Sequence, residues 1–124
     1  MAWNLSSDRP IYIQLVEHIE TDIISGIYKP GDKLPSVRDL AAEAAVNPNT
    51  MQKALAELES GGLLYAQRTS GRYITDDAAL VNERKNTLAK EQIRSFLSKM
   101  QQLGLTAKEA ADLILETIKE REVS

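Results

Sequence analysis

The chain has 124 residues with a net charge of -3 at pH 7, no cysteine, and His18 as the one histidine. This size allows one domain or a small domain with an appendage. The absence of cysteine excludes disulfides and cysteine metal sites, and a single histidine excludes a histidine metal cluster, so we predict no cofactor. Because no apolar run approaches the roughly 20 residues that span a bilayer and no signal sequence opens the chain, we expect a cytoplasmic protein with no membrane partner.

The N-terminal part of the chain predicts a polar arm followed by a helix. Residues 1–9 are polar apart from Trp3 and Leu5, and Pro10 then opens a segment with helical apolar spacing. The apolar positions of this helix are Tyr12, Leu15, Val16, Ile19 and Ile23. His18 falls among them, and we interpret it as a structural histidine in preference to a functional one.

Two short helices joined by a tight turn are predicted between residues 34 and 58. The first begins after Ser36, a good capping residue, with Asp39 three positions further on. Asn47 is a good N-cap for the second helix, and Pro48 suits its first position because the missing N–H costs nothing there.

The second of these helices separates into an apolar and a polar face when each residue is advanced by about 100°. The apolar face carries Met51, Ala54, Leu55 and Leu58, and the opposite face carries Asn49, Gln52, Lys53 and Ala56. Asn and Gln side chains can pair with the edge of adenine, while Lys can bond guanine or phosphate. The two helices therefore predict a DNA-binding helix-turn-helix, against the alternative that the polar residues are ordinary surface.

A β-hairpin is predicted directly after these helices. Gly61-Gly62 ends the second helix, and residues 63–68 and 72–75 have the composition of two short strands around a tip of small residues. Arg68 and Arg72 flank this tip, so two cations can reach phosphates or a narrow minor groove. An arginine-flanked tip alone is more often solvated surface, but after a helix-turn-helix the hairpin is interpreted as a wing.

The rest of the chain predicts a second unit, with residues 1–76 forming the winged domain and residues 77–124 a two-helix dimerisation tail. Thr106 and Glu109 form a capping box at the start of the last helix. The predicted dimerisation residues are apolar: Ile93, Phe96, Leu97, Met100, Leu103, Leu113, Ile114 and Ile118. Two helices with such wide apolar faces cannot bury them on each other alone, so we expect the tail of a second copy to cover them. The alternative is that the tail packs on its own winged domain.

The segments that carry these helices and the hairpin resemble the N-terminal domain of GntR-type bacterial transcription regulators. The resemblance covers residues 10–75 and rests on the runs 10–15 and 23–41, with Thr50, Ala54-Leu55, Leu58-Glu59 and Gly62-Leu63. The short two-helix tail resembles the YtrA-like branch of that family. This resemblance implies a dimeric repressor, often of an operon for an ABC-type transporter, and a pseudo-palindromic double-stranded DNA operator as partner.

The resemblance also implies which residues contact DNA. Arg38 corresponds to an arginine at the start of the second helix, and Gly71 corresponds to the wing glycine that approaches the minor groove. With the recognition-helix positions and the flanking residues, the predicted DNA-binding set is Ser36, Arg38, Asn47, Pro48, Asn49, Thr50, Gln52, Lys53, Arg68, Ser70, Gly71 and Arg72.

Three residues depart from the family pattern. Ala45 stands where relatives often have a turn glycine, which predicts a turn without a positive φ. Pro48 occupies a position that is often Arg or Ser, which removes a polar reader. Thr69 replaces the first of two frequent wing glycines, which leaves the depth of wing insertion open.

The sequence therefore predicts a sequence-specific DNA-binding transcription regulator, mostly α with a small β-hairpin. The alternative is a winged-helix module used for protein association without DNA binding, which the acidic net charge keeps open. An enzyme is not expected, because Glu17, Glu20 and Asp22 are predicted on the solvent side of their helix without catalytic partners. With about 45 residues after the wing, a small-molecule effector is possible but not evident.

Overall fold

The computed structural model describes residues 3–123, which form five α-helices and one two-stranded antiparallel sheet. The elements are α1 (Ile11–Ile24), α2 (Val37–Ala44), α3 (Pro48–Ser60), β1 (Leu64–Gln67), β2 (Gly71–Ile74), α4 (Ala78–Gln102) and α5 (Ala107–Val123). Met1, Ala2 and Ser124, which belong to the ends of the two predicted domains, lie outside the described residues. The predicted class, mostly α with a small β-hairpin, is confirmed.

One apolar cluster connects the three N-terminal helices with the sheet. Leu15 of α1, Leu40 of α2 and Ile74 of β2 are completely buried in it. The predicted apolar face of α3 is buried in the same cluster, through Met51, Ala54, Leu55 and Leu58. Because full burial of a Leu or Ile side chain contributes about 1.5–3 kcal/mol, this cluster is the main source of stability for the helix-turn-helix and the wing.

The starts of α2 and α3 confirm two capping predictions. The Ser36 hydroxyl accepts the backbone N–H of Asp39 at 3.1 Å, and the Asn47 side-chain oxygen accepts the backbone N–H of Asn49 at 2.7 Å. Each bond satisfies one of the N–H groups that the first turn of a helix leaves without a partner. Pro48 takes the first position of α3, as its fixed φ favours.

The turn between α2 and α3 differs from the prediction. Ala45 lies in the left-handed region, with φ 61° and ψ 48°, so the expectation of a turn without a positive φ is wrong. The backbone N–H of Val46 donates to the carbonyl of Ala41 at 2.9 Å, and that of Ala45 donates to the carbonyl of Ala42 at 3.2 Å. This paired bonding requires a left-handed residue at the helix end, and the helix-turn-helix imposes it even on alanine.

The wing is a short antiparallel hairpin. Leu64 pairs with Ile74 and Gln67 pairs with Gly71, so the strands are close to the predicted ranges. Leu64 and Ile74 are both buried, which anchors the base of the hairpin in the core. At the far end, Gln67, Arg68 and Thr69 are exposed.

The position of Glu20 also differs from the prediction. It was predicted on the solvent side of α1, but it is 6% exposed. Its carboxylate accepts a hydrogen bond from Arg84 Nε at 2.9 Å and lies 2.8 Å from Arg84 Nη2 in an ion pair. The partner lies in α4, far along the chain, so the periodicity of α1 contains no sign of it. Truncation of Arg84 would leave an unpaired carboxylate in a buried position.

The described chain divides into two compact units, the first ending at Arg84 and the second beginning at Lys85. Helix α4 begins at Ala78, so its first two turns belong to the first unit. The assignment of residues 1–76 to DNA binding and 77–124 to dimerisation stays a prediction.

The second unit contains the rest of α4, a short turn and α5. Gly104 in this turn has φ 90°, a left-handed conformation that favours glycine, and the N–H of Leu105 donates to the carbonyl of Met100 at 3.1 Å. The predicted capping box of α5 is confirmed. The Thr106 N–H donates to the Glu109 carboxylate at 2.9 Å, and the Glu109 N–H donates to the Thr106 hydroxyl at 3.1 Å.

Candidate nucleic-acid interface

The solvent-facing side of α3 carries the polar residues that the sequence predicted there. Pro48, Asn49, Gln52 and Lys53 are exposed, and Thr50 is half-buried. The opposite side of the helix is fixed in the core, so this polar face has a defined orientation. Its side chains offer amide donors and acceptors together with one cation, which are the groups that pair with base edges and phosphates.

Lys53 is held by the first helix. Its ammonium nitrogen lies 3.8 Å from the centroid of the Tyr12 ring, a cation–π contact between α3 and α1. At an exposed site such a contact contributes about 0.5–1 kcal/mol, enough to bias the lysine toward one position without burying its charge. Tyr12 was predicted as a core residue of α1, and the structure gives it this additional contact.

Arg72 connects the wing with α3. Its Nε donates to Glu59 Oε1 at 2.9 Å, and its Nη1 donates to Gln52 Oε1 at 3.4 Å. The Arg72 side chain is 18% exposed, so the wing arginine lies mostly along the helix. The structure thus brings together two of the predicted DNA-binding residues, Gln52 and Arg72, and adds Glu59, which the prediction assigned to no site.

The tip of the wing is fixed by contacts within the hairpin. The Tyr73 hydroxyl donates to the Ser70 hydroxyl at 3.0 Å, and the rings of Tyr65 and Tyr73 stack with centroids 5.8 Å apart. Gly71 has φ 113°, a conformation that side chains rarely adopt, so glycine is required at this position. Arg68 is exposed and forms no ion pair among residues 3–123.

A concave surface between the start of α2 and the wing encloses a volume of about 570 Å³. Ser36 and Lys33 line one part, while Ser70, Gly71 and Arg72 line another. Four predicted DNA-binding residues therefore share this surface, and Lys33, which is not in the predicted set, joins them. Among the other predicted cations, Arg38 is exposed at the first turn of α2.

The described part of the chain shows none of the features of two other site classes. Among residues 3–123, no three Asp, Glu or His side chains cluster so that they could hold a metal ion. No helix in the same range combines the length and apolar character needed to cross a membrane.

The comparison with known protein families decides the identity of the fold. Residues 11–74, from the start of α1 to the end of β2, match the family model described as bacterial regulatory proteins, gntR family. The chain belongs to the GntR family. The predicted resemblance is confirmed, and so is the predicted class of function, a DNA-binding transcription regulator; the alternative of a module for protein association alone is not favoured.

Two GntR-type relatives from Bacillus subtilis (strain 168) align with both units. The uncharacterized HTH-type transcriptional regulator YhcF is 40% identical over 113 residues, which cover 91% of this chain and 90% of YhcF. The HTH-type transcriptional repressor YtrA is 39% identical over 111 residues, which cover 89% of this chain and 85% of YtrA. Since these alignments extend past the wing into the tail, they support the predicted likeness to the YtrA branch.

Solved structures agree with the fold of this GntR protein. A GntR family transcriptional regulator from Listeria monocytogenes superposes with a TM-score of 0.84 at 38% identity, covering 90% of this chain and 98% of that one. The AraR DNA-binding domain, solved in complex with operator ORX1, superposes with a TM-score of 0.53 at 32% identity, covering 60% of this chain and 92% of that one.

Proposed function

We propose that this GntR-family protein is a homodimeric transcription repressor that binds a pseudo-palindromic operator in double-stranded DNA. The observation that carries the proposal is the polar face of α3, where Asn49, Gln52 and Lys53 are exposed while the opposite face is buried. A recognition helix of this kind enters the major groove, and the wing beside it reaches the flanking backbone or minor groove.

The proposed contacts divide into base reading and backbone positioning. Asn49 and Gln52 read base edges, and each good pairing supplies on the order of 1–3 kcal/mol of discrimination. Arg38, Lys53, Arg68 and Arg72 lie against phosphates, which fixes the position of the protein on the duplex. The remaining predicted contacts come from backbone and small polar groups at Ser36, Asn47, Thr50, Ser70 and Gly71, and from the apolar ring of Pro48.

The exposed apolar residues of the tail support the dimer. Ile93, Phe96 and Leu97 follow each other at helical spacing on α4, with Met100 one turn later. Most of the predicted dimerisation residues are exposed, namely Ile93, Phe96, Leu103, Leu113, Ile114 and Ile118, while Leu97 and Met100 are half-buried. Leu115 is 59% exposed and joins this surface, although the prediction left it out. A second copy presents the same surface and closes a two-fold assembly.

The regulated genes are proposed from the similarity to YtrA, which is named a transcriptional repressor. The resemblance to that branch favours an operon of transporter type as target and a site of action in the cytoplasm. We assign no catalytic role to the protein. A small-molecule effector would bind where the dimer interface adds walls to the open surfaces of one chain.

Fluorescence anisotropy with the promoter of the protein's own operon, at several salt concentrations, tests the proposal. We expect Gln52→Ala to relax specificity at one base pair in each half-site. We expect Arg68→Ala to weaken binding to operator and random DNA alike, and to lower the salt slope by about one unit. Gln92→Ala and Arg94→Ala, exposed on α4, are the matched controls. Equal losses on both DNAs for Gln52→Ala, or no binding to any fragment, would contradict the proposal.

A further inference from the structure

The Arg72 guanidinium lies between the Glu59 carboxylate and the Gln52 amide of α3. Glu59 Oε1 accepts from Arg72 Nε at 2.9 Å, and Gln52 Oε1 accepts from Arg72 Nη1 at 3.4 Å. Glu59 and Gln52 stand seven residues apart, about two helical turns, so they share one side of α3. Arg72 therefore bridges Glu59 and Gln52, and its charged bond to Glu59 is the shorter of the two contacts.

The chemistry of arginine fixes the orientation of the glutamine amide. A guanidinium has five N–H donors and no acceptor, so the Gln52 atom that faces Arg72 is the oxygen. The Gln52 NH₂ group is then directed away from Arg72, and Gln52 itself is exposed. Because the oxygen is engaged by a cation, the groups that Gln52 and Arg72 together present outward are N–H donors.

A surface of donors distinguishes the two purines in the major groove. Guanine presents two acceptors there, N7 and O6, whereas adenine presents the N7 acceptor beside an amino group that is a donor. Gln52 in the usual paired contact with adenine needs its oxygen free to accept from that amino group. The bond from Arg72 takes one of the two lone pairs of the Gln52 oxygen and turns that oxygen toward the wing, so the paired contact with adenine is weakened while the NH₂ group can still donate to guanine.

We propose that Glu59 is a positioning residue that holds Arg72 against Gln52, so that Gln52 reads guanine in preference to adenine. This inference rests on the proposed function, in which the polar face of α3 lies in the major groove. Glu59 contacts no base itself; it acts through the arginine. Its carboxylate also offsets the Arg72 charge, so the arginine contributes less to sequence-independent attraction than an unpaired cation would.

Selection of bound sequences from a library of operators with randomised positions tests the inference. The base pair read by Gln52 is the one at which Gln52→Ala loses its preference. At that pair we expect the native protein to favour guanine over adenine by about 5-fold or more, the range of a good base contact. Glu59→Gln should lower this preference toward one, and it should steepen the salt dependence on random DNA by up to about 0.9 in log K per log salt.

Two further variants separate positioning from loss of structure or charge. Glu57→Gln removes the same charge from an exposed site on α3 that forms no ion pair among residues 3–123, and it should keep the native base preference. Arg72→Lys keeps the positive charge but cannot bond Glu59 and Gln52 in one planar fork, so it should lose the preference as Glu59→Gln does.

The outcomes distinguish this inference from the proposed function. A native protein that binds its operator but favours any base other than guanine at the Gln52 position overturns the inference and leaves the proposed function intact. An unchanged preference in Glu59→Gln, with native thermal unfolding, overturns it as well. Failure to bind any promoter fragment removes the proposed function itself.

Discussion

The two compact units of this GntR protein differ in how completely they bury their own apolar residues. In the first unit, α1, α2, α3 and the hairpin all contribute side chains to one buried cluster. Among residues 85–123, Ala110 is the only buried hydrophobic residue, while Leu103 is 72% exposed and Leu115 is 59% exposed. The first unit has its own core, and the second unit does not.

We infer from this difference that the second unit depends on a partner. Helices gain most of their stability in proteins from packing of an apolar face, so α5 and the second part of α4 need a surface that covers them. Exposed apolar patches of this kind mark interaction sites in soluble proteins. A unit with a complete core can present a rigid DNA-binding surface, whereas an incomplete one is suited to bring two chains together.

Substitution in the core of the first unit is expected to have the largest effect on stability. Leu55 is 1% exposed, so Leu55→Ala should lower the free energy of unfolding by about 2–5 kcal/mol, because it leaves a cavity between α3 and its neighbours. Ile27→Ala also shortens a large apolar side chain, but at a position after α1 that is 69% exposed and outside the proposed interface, so it should stay within about 0.5 kcal/mol. Chemical denaturation followed by circular dichroism measures both variants. Equal losses would contradict the assignment of Leu55 to the core of the first unit.

A charge on the apolar surface of the tail should disrupt the dimer. Phe96→Asp would bury an unpaired carboxylate in the proposed interface, so we expect the dimer dissociation constant to rise about 100-fold or more. Ser95→Asp places the same carboxylate at the neighbouring exposed position and should leave the dimer intact. Sedimentation equilibrium of both variants provides the test. A Phe96→Asp protein that dimerises like the Ser95→Asp protein would exclude this surface as the interface.

The strained turn of the helix-turn-helix should respond to glycine. Ala45→Gly removes the strain of a left-handed alanine, which is about 1–2 kcal/mol. Glycine also makes the unfolded chain more flexible, which lowers the stability by about 0.4–1 kcal/mol. The net expectation is a gain of about 0.5–1 kcal/mol, read as a higher unfolding temperature. Ala42→Gly, inside α2, is the matched control and should lose about as much. If both variants lose stability, the strain at Ala45 is not released by glycine.

The capping box of α5 should give the smallest effect, as a pH dependence. Hydrogen bonds from Thr106 lower the pKa of the Glu109 carboxyl group in the folded state. The bond from the backbone N–H has the larger effect, and the bond from the hydroxyl has the smaller one. The stabilisation is therefore complete above the unfolded pKa of about 4.3 and is lost as the pH falls through the lower folded pKa. Glu109→Gln keeps an acceptor without titrating, so it should remove this part of the pH dependence of α5 helicity. An identical pH profile of helicity in the native protein and in Glu109→Gln would contradict this role of the capping box.

Local signals in the sequence predicted much of the fold, and contacts between distant residues account for what was missed. Ser36, Asn47 and Thr106 cap their helices as expected, because capping depends on residues two or three positions apart. The buried pairing of Glu20 with Arg84 joins residues 64 positions apart, and periodicity within one helix contains no information about it.

The candidate site follows the same rule. The outward face of α3 was predictable from helical spacing, since it depends on one element. The bridge from Arg72 to Glu59 and Gln52 was not, because it requires the hairpin to fold back along α3. Ala45 shows the opposite error: its local preference is clear, but the packing of α2 and α3 overrides it.

We propose that the tail joins two chains so that two recognition helices face one duplex. Sedimentation equilibrium of the protein at micromolar concentration, alone and with a fragment of its own promoter, tests this most directly. We expect a dimer in the absence of DNA and two protein chains on each operator duplex. A single chain free in solution, bound as one chain per duplex or not bound at all, would contradict the account.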